Sequence, residues 1–159
     1  MTSQNELSHV DKNGSVSMVD VGHKETTQRI AIASGKIFGK KETLIKIKDN
    51  QMKKGDVITT AHIAGILGAK KTSDLIPLCH PLFLDSVKLS FEILKDHVYI
   101  VATAKTSGKT GVEMEALSAV SVACLTIYDM CKAIDKEMVI SDICLQEKQG
   151  GKSGHFIRE

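Results

Sequence analysis

The sequence predicts an α+β fold in which one antiparallel sheet carries helices on a single face, a two-layer sandwich. Three observations predict it. The stretch 28–38, QRIAIASGKIF, alternates apolar and small or polar residues as a strand does. Two further runs, VKLSFEIL and HVYIVATAK, are separated only by Lys95-Asp96 and read as a hairpin. The stretch 112–134, VEMEALSAVSVACLTIYDMCKAI, reads as a helix of about six turns, apolar round most of its circumference.

Length and composition agree with one such sandwich. A chain of 159 residues and 17.3 kDa suits a single domain. Hydrophobic residues at 42% and charged residues at 25% are those of an ordinary globular protein. A formal charge of +2 excludes a strongly cationic nucleic-acid binder and a charged disordered tail. Aromatics at 4%, with no Trp, provide no stacking platform for single strands and leave the core to aliphatic side chains. There is no unbroken run of about 18 apolar residues, so no membrane span is expected. The start, MTSQNELSHVDKNG, lacks the apolar core of a signal peptide, and the expected location is the cytoplasm. Cys79, Cys124, Cys131 and Cys144 are too sparse for a disulfide scaffold and are expected to be thiols. They form no two close ligand pairs, so no structural zinc is expected.

Taken in order, residues 1–25 are polar and read as an extended, partly flexible segment before one domain over 26–159. The run KETLIKIKD, 41–49, is compatible with a short helix or a strand, because the spacing of Leu44, Ile45 and Ile47 does not decide. A KKGD turn follows, and Asp56 is placed to cap a helix reaching about Ala69. Gly65 and Gly68 lower its helix propensity, which points to close packing against a neighbour. KKTSDLIPLCHPL is irregular: Pro77 and Pro81 push the residues before them toward extended geometry and clamp Leu78, Cys79 and His80 between them. After the hairpin, a TSGKTG turn opens the long helix, and MVISDICLQEK is the last strand before GGKSG. Around Val120–Ile127 the long helix carries more apolar surface than one sheet face uses, so self-association is expected.

Three groups carry chemistry. His80, held by the proline clamp, suits substrate orientation or proton transfer, against the plainer reading of a loop histidine. Cys79 beside it is a poor nucleophile candidate, since adjacent residues seldom face each other. Gly108, Lys109 and Gly111 precede a helix start with Glu113 and Glu115 in its first turn; this is either an anion site or a flexible turn with dipole-favoured acids. Neither this GKT nor the GKS of GGKSG is a phosphate-binding Walker loop, because Thr103 and Gln146 stand where its first glycine is needed. Asp129 and Lys132 share a helix face three residues apart, either as an exposed ion pair or, among the apolar residues of TIYDMCKAI, as a buried pair with displaced pKa values. At about 100° and about 1.5 Å per residue, Glu115 and Asp129 lie near one face of that helix but about 21 Å apart along it. One compact site on one chain hardly uses both.

KKTSDLIPLCHPL, GKTGVEMEALSAVSVACLTIYDMCKA and GGKSG, with MVDVG at 18–22 and KKGDV at 53–57, together resemble the molybdenum cofactor biosynthesis protein C family over about residues 14–154. The resemblance implies a ferredoxin-like subunit that forms dimers and then a trimer of dimers, a homohexamer. It implies a lyase, cyclic pyranopterin monophosphate synthase, acting on 3',8-cyclised 7,8-dihydroguanosine triphosphate with release of pyrophosphate. It assigns catalysis to Asp129 and Lys132, with Asp129 as the central acid/base. Substrate contacts fall on Leu78, Cys79, His80, Glu113, Met114 and Glu115, and on Lys54, Lys148 and Arg29, with Lys109 and Lys152 as further cations. His80 is then expected at the triphosphate or ribose, and Glu113 and Glu115 at the ring N–H donors. It implies no required cofactor, and a divalent cation with the phosphates is compatible with it. The expected partner is this small molecule, with neither nucleic acid nor membrane. The competing classes are a nucleotide-binding module without catalysis and a structural assembly subunit.

Overall fold

The computed structural model describes residues 14, 16–152 and 154–159. The sheet is built first from β1 (Thr27–Phe38), flanked on one side by β3 (His97–Gly108) and then β2 (Ser86–Ile93). On the other side lie β4 (Val139–Gln149) and the two-residue β5 (Phe156–Ile157). All pairings are antiparallel, and the order is β2-β3-β1-β4-β5. Helices α1 (Lys41–Lys48), α2 (Val57–Lys70), the single turn α3 (Thr72–Leu75) and α4 (Glu113–Cys131) complete the chain. This is the expected α+β sandwich, in a ferredoxin-like arrangement with its helices on one face.

The sheet face under the helices is a floor of small residues. Ala31, Ala33 and Ile37 of β1 and Val98, Ile100, Ala102 and Ala104 of β3 are fully buried, in a register that sets Ala31 opposite Ala104 and Ala33 opposite Ala102. Small side chains on both partners let α4 lie close through Ala116, Ala119, Val120, Ala123 and Ile127, all at 0% exposure. A Cβ on Gly35 would sit 2.6 Å from Val120 Cγ1, so the strand needs glycine under the helix. The glycines of α2 serve its contact with α4 and the sheet. A Cβ on Gly65 would meet Leu89 Cδ2 at 2.5 Å and the Ala119 carbonyl at 3.0 Å; one on Gly68 would meet Val122 Cγ2 at 2.7 Å. The close packing expected from these glycines is present. At 19 residues α4 is long and apolar enough to cross a bilayer, although its sequence holds no unbroken run of about 18 apolar residues. Its buried alanines, cysteines and Ile127 make it the core helix of this sandwich.

The other elements differ from expectation in instructive ways. The undecided run 41–49 is helical, with Thr43, Leu44 and Ile47 buried. Its N-terminus has no cap from its own sequence; Asp135 Oδ2 accepts from Lys40 N at 2.8 Å and from Thr43 Oγ1 at 3.1 Å. Asp56 does cap α2, accepting from Thr59 N at 2.9 Å. The irregular 70–82 stretch opens with the turn α3, and Ile76, before Pro77, is extended at φ −108° and ψ 108°. The expected turn TSGKTG begins later than its text suggested, because Thr106, Ser107 and Gly108 extend β3 opposite Arg29, Gln28 and Thr27. The long helix is shorter than 112–134: Val112 is its N-cap and Cys131 its last residue. Of the expected flexible segment 1–25, residues 1–13 and 15 lie outside the described residues. From Val19 to Lys24 the chain is a bonded turn, with Gly22 N donating to Asp20 Oδ1 at 2.7 Å and Lys24 N to Val21 O at 3.1 Å.

Candidate functional site

Two adjoining cavities lie at the N-terminal end of α4. The smaller, of about 310 Å³, is lined by Leu78, Cys79 and His80 from the proline clamp and by Glu113, Met114 and Glu115 from the first turn of α4. Val19, Val21 and Lys24 close its remaining side, with Leu82, Thr110 and Gly111 between. All six substrate-contact residues assigned to these two segments thus meet in one cavity. The larger, of about 600 Å³, shares Lys24, Thr110, Gly111 and Glu113 with it and adds Arg29, Lys109, Lys148 and Lys152. Four lysines and one arginine line it together with two carboxylates, Glu25 and Glu113. Its size and charge suit a polyanionic small molecule.

Local structure explains each position. The clamp is tied by Cys79 N, which donates to Ile76 O at 3.1 Å. His80 Nε2 lies 2.8 Å from the Val19 carbonyl, which can only accept, so the proton sits on Nε2 and Nδ1 is unprotonated in the neutral ring. Arg29 is aimed by two carbonyls, donating from Nε to Gly108 O at 3.0 Å and from Nη2 to Lys109 O at 3.3 Å. Gly150 and Gly151 follow β4 at φ 91° and 79°. A Cβ on Gly151 would run into the Arg29 guanidinium, so the double glycine leaves that cation its room. Lys148 Nζ stands 3.6 Å from Glu113 Oε1. Gly111 has the same purpose for Glu113, whose carboxylate occupies the place where a Cβ would be.

Electrostatics divide the acids. Glu115 is only 4% exposed, and burial pushes its carboxyl up to about 6 from an ordinary 4.5, with Glu113 adding repulsion. Burial, and Glu115 beside it, also push the Cys79 thiol up, which disfavours the thiolate a nucleophile needs.

Asp129 and Lys132 are not in these cavities. They stand at the opposite end of α4 with Lys54, whose Nζ donates to Asp129 Oδ2 and to the Asp129 carbonyl, each at 3.0 Å. Lys132 Nζ lies 2.7 Å from Asp129 Oδ1. The buried setting considered for this pair is corrected: the Asp129 side chain is 56% exposed and that of Lys132 52%. The neighbours Ile127, Met130 and Cys131 turn inward, which leaves 129 and 132 on the outer side. Hydrogen bonds from Lys132 and Lys54 hold the Asp129 carboxyl below its ordinary range, so it is firmly ionised. The structure therefore gathers Leu78, Cys79, His80, Glu113, Met114, Glu115, Arg29 and Lys148 at one end, and Lys54, Asp129 and Lys132 at the other.

Reading the sequence missed Lys24, together with Val19, Val21, His23 and Glu25. They lie in a stretch whose polar text marks no element, and only the MVDVG match hinted at a role. Among the described residues, no group of three or more His, Cys, Asp or Glu side chains is placed to hold a metal ion. All four cysteines are free thiols.

Comparison with known proteins adds what geometry alone does not. A family model described as "MoaC family" matches residues 18–151. The chain is 59% identical over 155 residues to a cyclic pyranopterin monophosphate synthase of Desulfitobacterium hafniense, covering 97% of this chain and 95% of that protein. It is 56% identical to one of Peptoclostridium acidaminophilum over 154 residues, 97% and 98% of the two chains. It is 58% identical to one of Heliobacterium modesticaldum over 155 residues, 96% and 98%. The matched span takes in the smaller cavity, all of the larger one but Lys152, and the Asp129 cluster, and on that ground the chain belongs to the MoaC family.

Proposed function

We propose that the protein is a cyclic pyranopterin monophosphate synthase. Its substrate is 3',8-cyclised 7,8-dihydroguanosine triphosphate, and it releases pyrophosphate in molybdenum cofactor biosynthesis, as a lyase. The observation that carries this reading is the pair of adjoining cavities, a small acid-bearing one that shares Lys24, Thr110, Gly111 and Glu113 with a cationic one, in a chain 54–59% identical to the named synthases. The cationic cavity suits the triphosphate, whose α-phosphorus takes a new bond from a hydroxyl oxygen of the substrate itself, closing the cyclic ester as that hydroxyl gives up its proton, while the bond to the β-phosphate breaks and pyrophosphate leaves. Arg29, Lys148, Lys24 and Lys152 are the groups that hold those oxygens. The small cavity suits the ring system, with Glu113 and Glu115 accepting from its N–H groups.

Two carboxylates pushed in opposite directions have a natural division of labour. Glu115, at about 6, carries a proton part of the time near neutrality and acts as the acid. Asp129, held ionised by Lys54 and Lys132, acts as the base or as a fixed charge. For both to serve one substrate, the Asp129 end must come from a neighbouring copy, which fits dimers assembled into a hexamer. The charge needed at the phosphates comes from the chain's own lysines and arginine, so no bound cofactor is required, and any divalent ion arrives with the triphosphate. Free thiols and a nucleotide substrate fit a cytoplasmic enzyme.

The test is formation of pyranopterin and pyrophosphate from the purified cyclised substrate. Wild type converts it; Asp129→Asn binds it and does not. A wild type that binds without converting makes the chain a nucleotide-binding module, and one that does neither makes it an assembly subunit. Site sharing is tested by mixing. His80→Ala and Asp129→Asn, each inactive, when dissociated and reassembled together at equal amounts regain roughly a quarter of wild-type activity. Half the dimers are mixed, and each mixed dimer has one intact site of two. No recovery refutes the shared site.

A further inference from the structure

Lys109 lines the cationic cavity but does not point its ammonium into open space: Nζ donates to the Gly22 carbonyl at 2.7 Å. Gly22 belongs to the turn Val19–Lys24, which walls both cavities, Val19 and Val21 facing the smaller and Lys24 shared by both. That turn is held by two bonds of its own, from Gly22 N to Asp20 Oδ1 and from Lys24 N to Val21 O. Two hydrogen bonds tie it to the rest of the site, from His80 Nε2 to Val19 O and from Lys109 Nζ to Gly22 O. The base of Lys109 is itself anchored, since Arg29 holds the carbonyls of Gly108 and Lys109 to β1. We propose that Lys109 is a positioning residue, the latch that holds the Val19–Lys24 strap, and with it Lys24, against the site; it is not a phosphate ligand.

The chemistry favours this assignment. A charged donor on a neutral carbonyl is a strong but local bond, broken without burying any charge. It closes a segment that otherwise has few apolar anchors, only the half-buried Val19 and Val21 between exposed Asp20 and Gly22. Opening the strap widens the way into both cavities, and closing it returns the Lys24 ammonium to the place they share.

Hydrogen exchange of the substrate-free protein in phosphate-free buffer tests the latch without relying on the proposed activity. In Lys109→Met the amides of residues 19–24 exchange faster by about tenfold or more, the scale of one charge-assisted hydrogen bond, while those of α4 and β1 keep their wild-type rates. Lys109→Arg, which keeps a charged donor, restores protection. Asp20→Ala, which opens the turn from its own side, also speeds the strap, and the double variant Asp20→Ala/Lys109→Met is no faster than the quicker single one. Unchanged strap exchange in Lys109→Met overturns the proposal, and if inorganic pyrophosphate affinity falls at the same time, Lys109 is a phosphate ligand. Fully additive effects of the two variants overturn it as well. On the synthase reading, which this arm alone rests on, Lys109→Met raises KM for the cyclised substrate and changes kcat less. A protein without synthase activity whose strap still opens in Lys109→Met removes that reading and leaves the latch standing.

Discussion

Glu115→Gln isolates the consequence of burying a carboxyl at the start of α4. Glu115 is 4% exposed and its carboxyl titrates at about 6, against an ordinary 4.5. Below 4.5 the group is protonated whether the chain is folded or not, and its titration costs nothing. Between 4.5 and about 6 the unfolded chain ionises first, so the folded state binds more protons and stability falls as pH rises. Above about 6 the penalty is complete. A shift of about 1.5 units corresponds to about 2 kcal/mol. Glutamine has the same shape and never ionises, so the variant escapes that loss. Urea unfolding of both proteins at one concentration, from pH 4 to pH 8, reads the difference directly. The stability of Glu115→Gln relative to wild type rises by about 2 kcal/mol across that range. For a chain of this length, the same change is about 6 °C in Tm. Other groups titrate in both proteins and cancel. A difference that stays flat with pH, or that shrinks as pH rises, refutes the reasoning and means that Glu115 is ionised in the fold at little cost.

Four further outcomes follow from the same geometry. Gly68→Ala gains helix propensity but drives a Cβ to 2.7 Å from Val122 Cγ2; calorimetry shows a lower Tm, since overpacking of about 1–3 kcal/mol outweighs a gain of about 1 kcal/mol. Asp135→Ala removes both bonds at the start of α1 and lowers stability by about 1–3 kcal/mol in urea unfolding, with exchange fastest around Lys40–Leu44. Gly151→Ala combines a left-handed backbone, φ 79°, with a Cβ in the Arg29 guanidinium, so calorimetric titration with pyrophosphate shows weaker binding. Asp129→Asn touches an exposed side chain and leaves Tm near its wild-type value while product formation from the cyclised substrate is lost.

What the sequence revealed, and what it did not, follows the range of the interactions involved. Strands β1 to β3 announce themselves because their alternation is local, and α2 because Asp56 caps it from the adjoining residue. The run 41–49 stayed undecided because its cap is Asp135, which is remote in sequence and reaches Lys40 N only once the chain is folded. Thr106–Gly108 read as a turn because their text has turn residues, yet pairing with β1 keeps them extended. The site divides in the same way. Leu78–His80 and Glu113–Glu115 sit in marked local settings, a proline clamp and a helix start, and both were visible. Lys24 was invisible because its position depends on a turn bonded across to Lys109 and His80. The setting of Asp129, exposed or buried, stayed open because apolar neighbours in sequence face every side of a helix; only the packing shows which of them turn inward.

The placement of the acids has a structural reason that goes beyond their identity. A helix whose buried side is alanine, cysteine and valine against an alanine floor has no slack: neither it nor the strand beneath can shift without opening voids or forcing clashes. Polar chemistry is therefore excluded from the middle of α4 and falls at its two ends, about 21 Å apart by the rise between Glu115 and Asp129. Rigidity keeps Glu115 in its desolvated place and Asp129 in its solvated one, which is what separates their titration. The same rigidity forbids the two from closing on one substrate within a chain. If both act in one reaction, the neighbour's α4 must present its far end to this chain's cavities. The exposed Ile63, Leu67 and Leu125 on the helices are then surface that a neighbour covers. The small-residue packing that stabilises the subunit would thus also be what makes a single subunit insufficient.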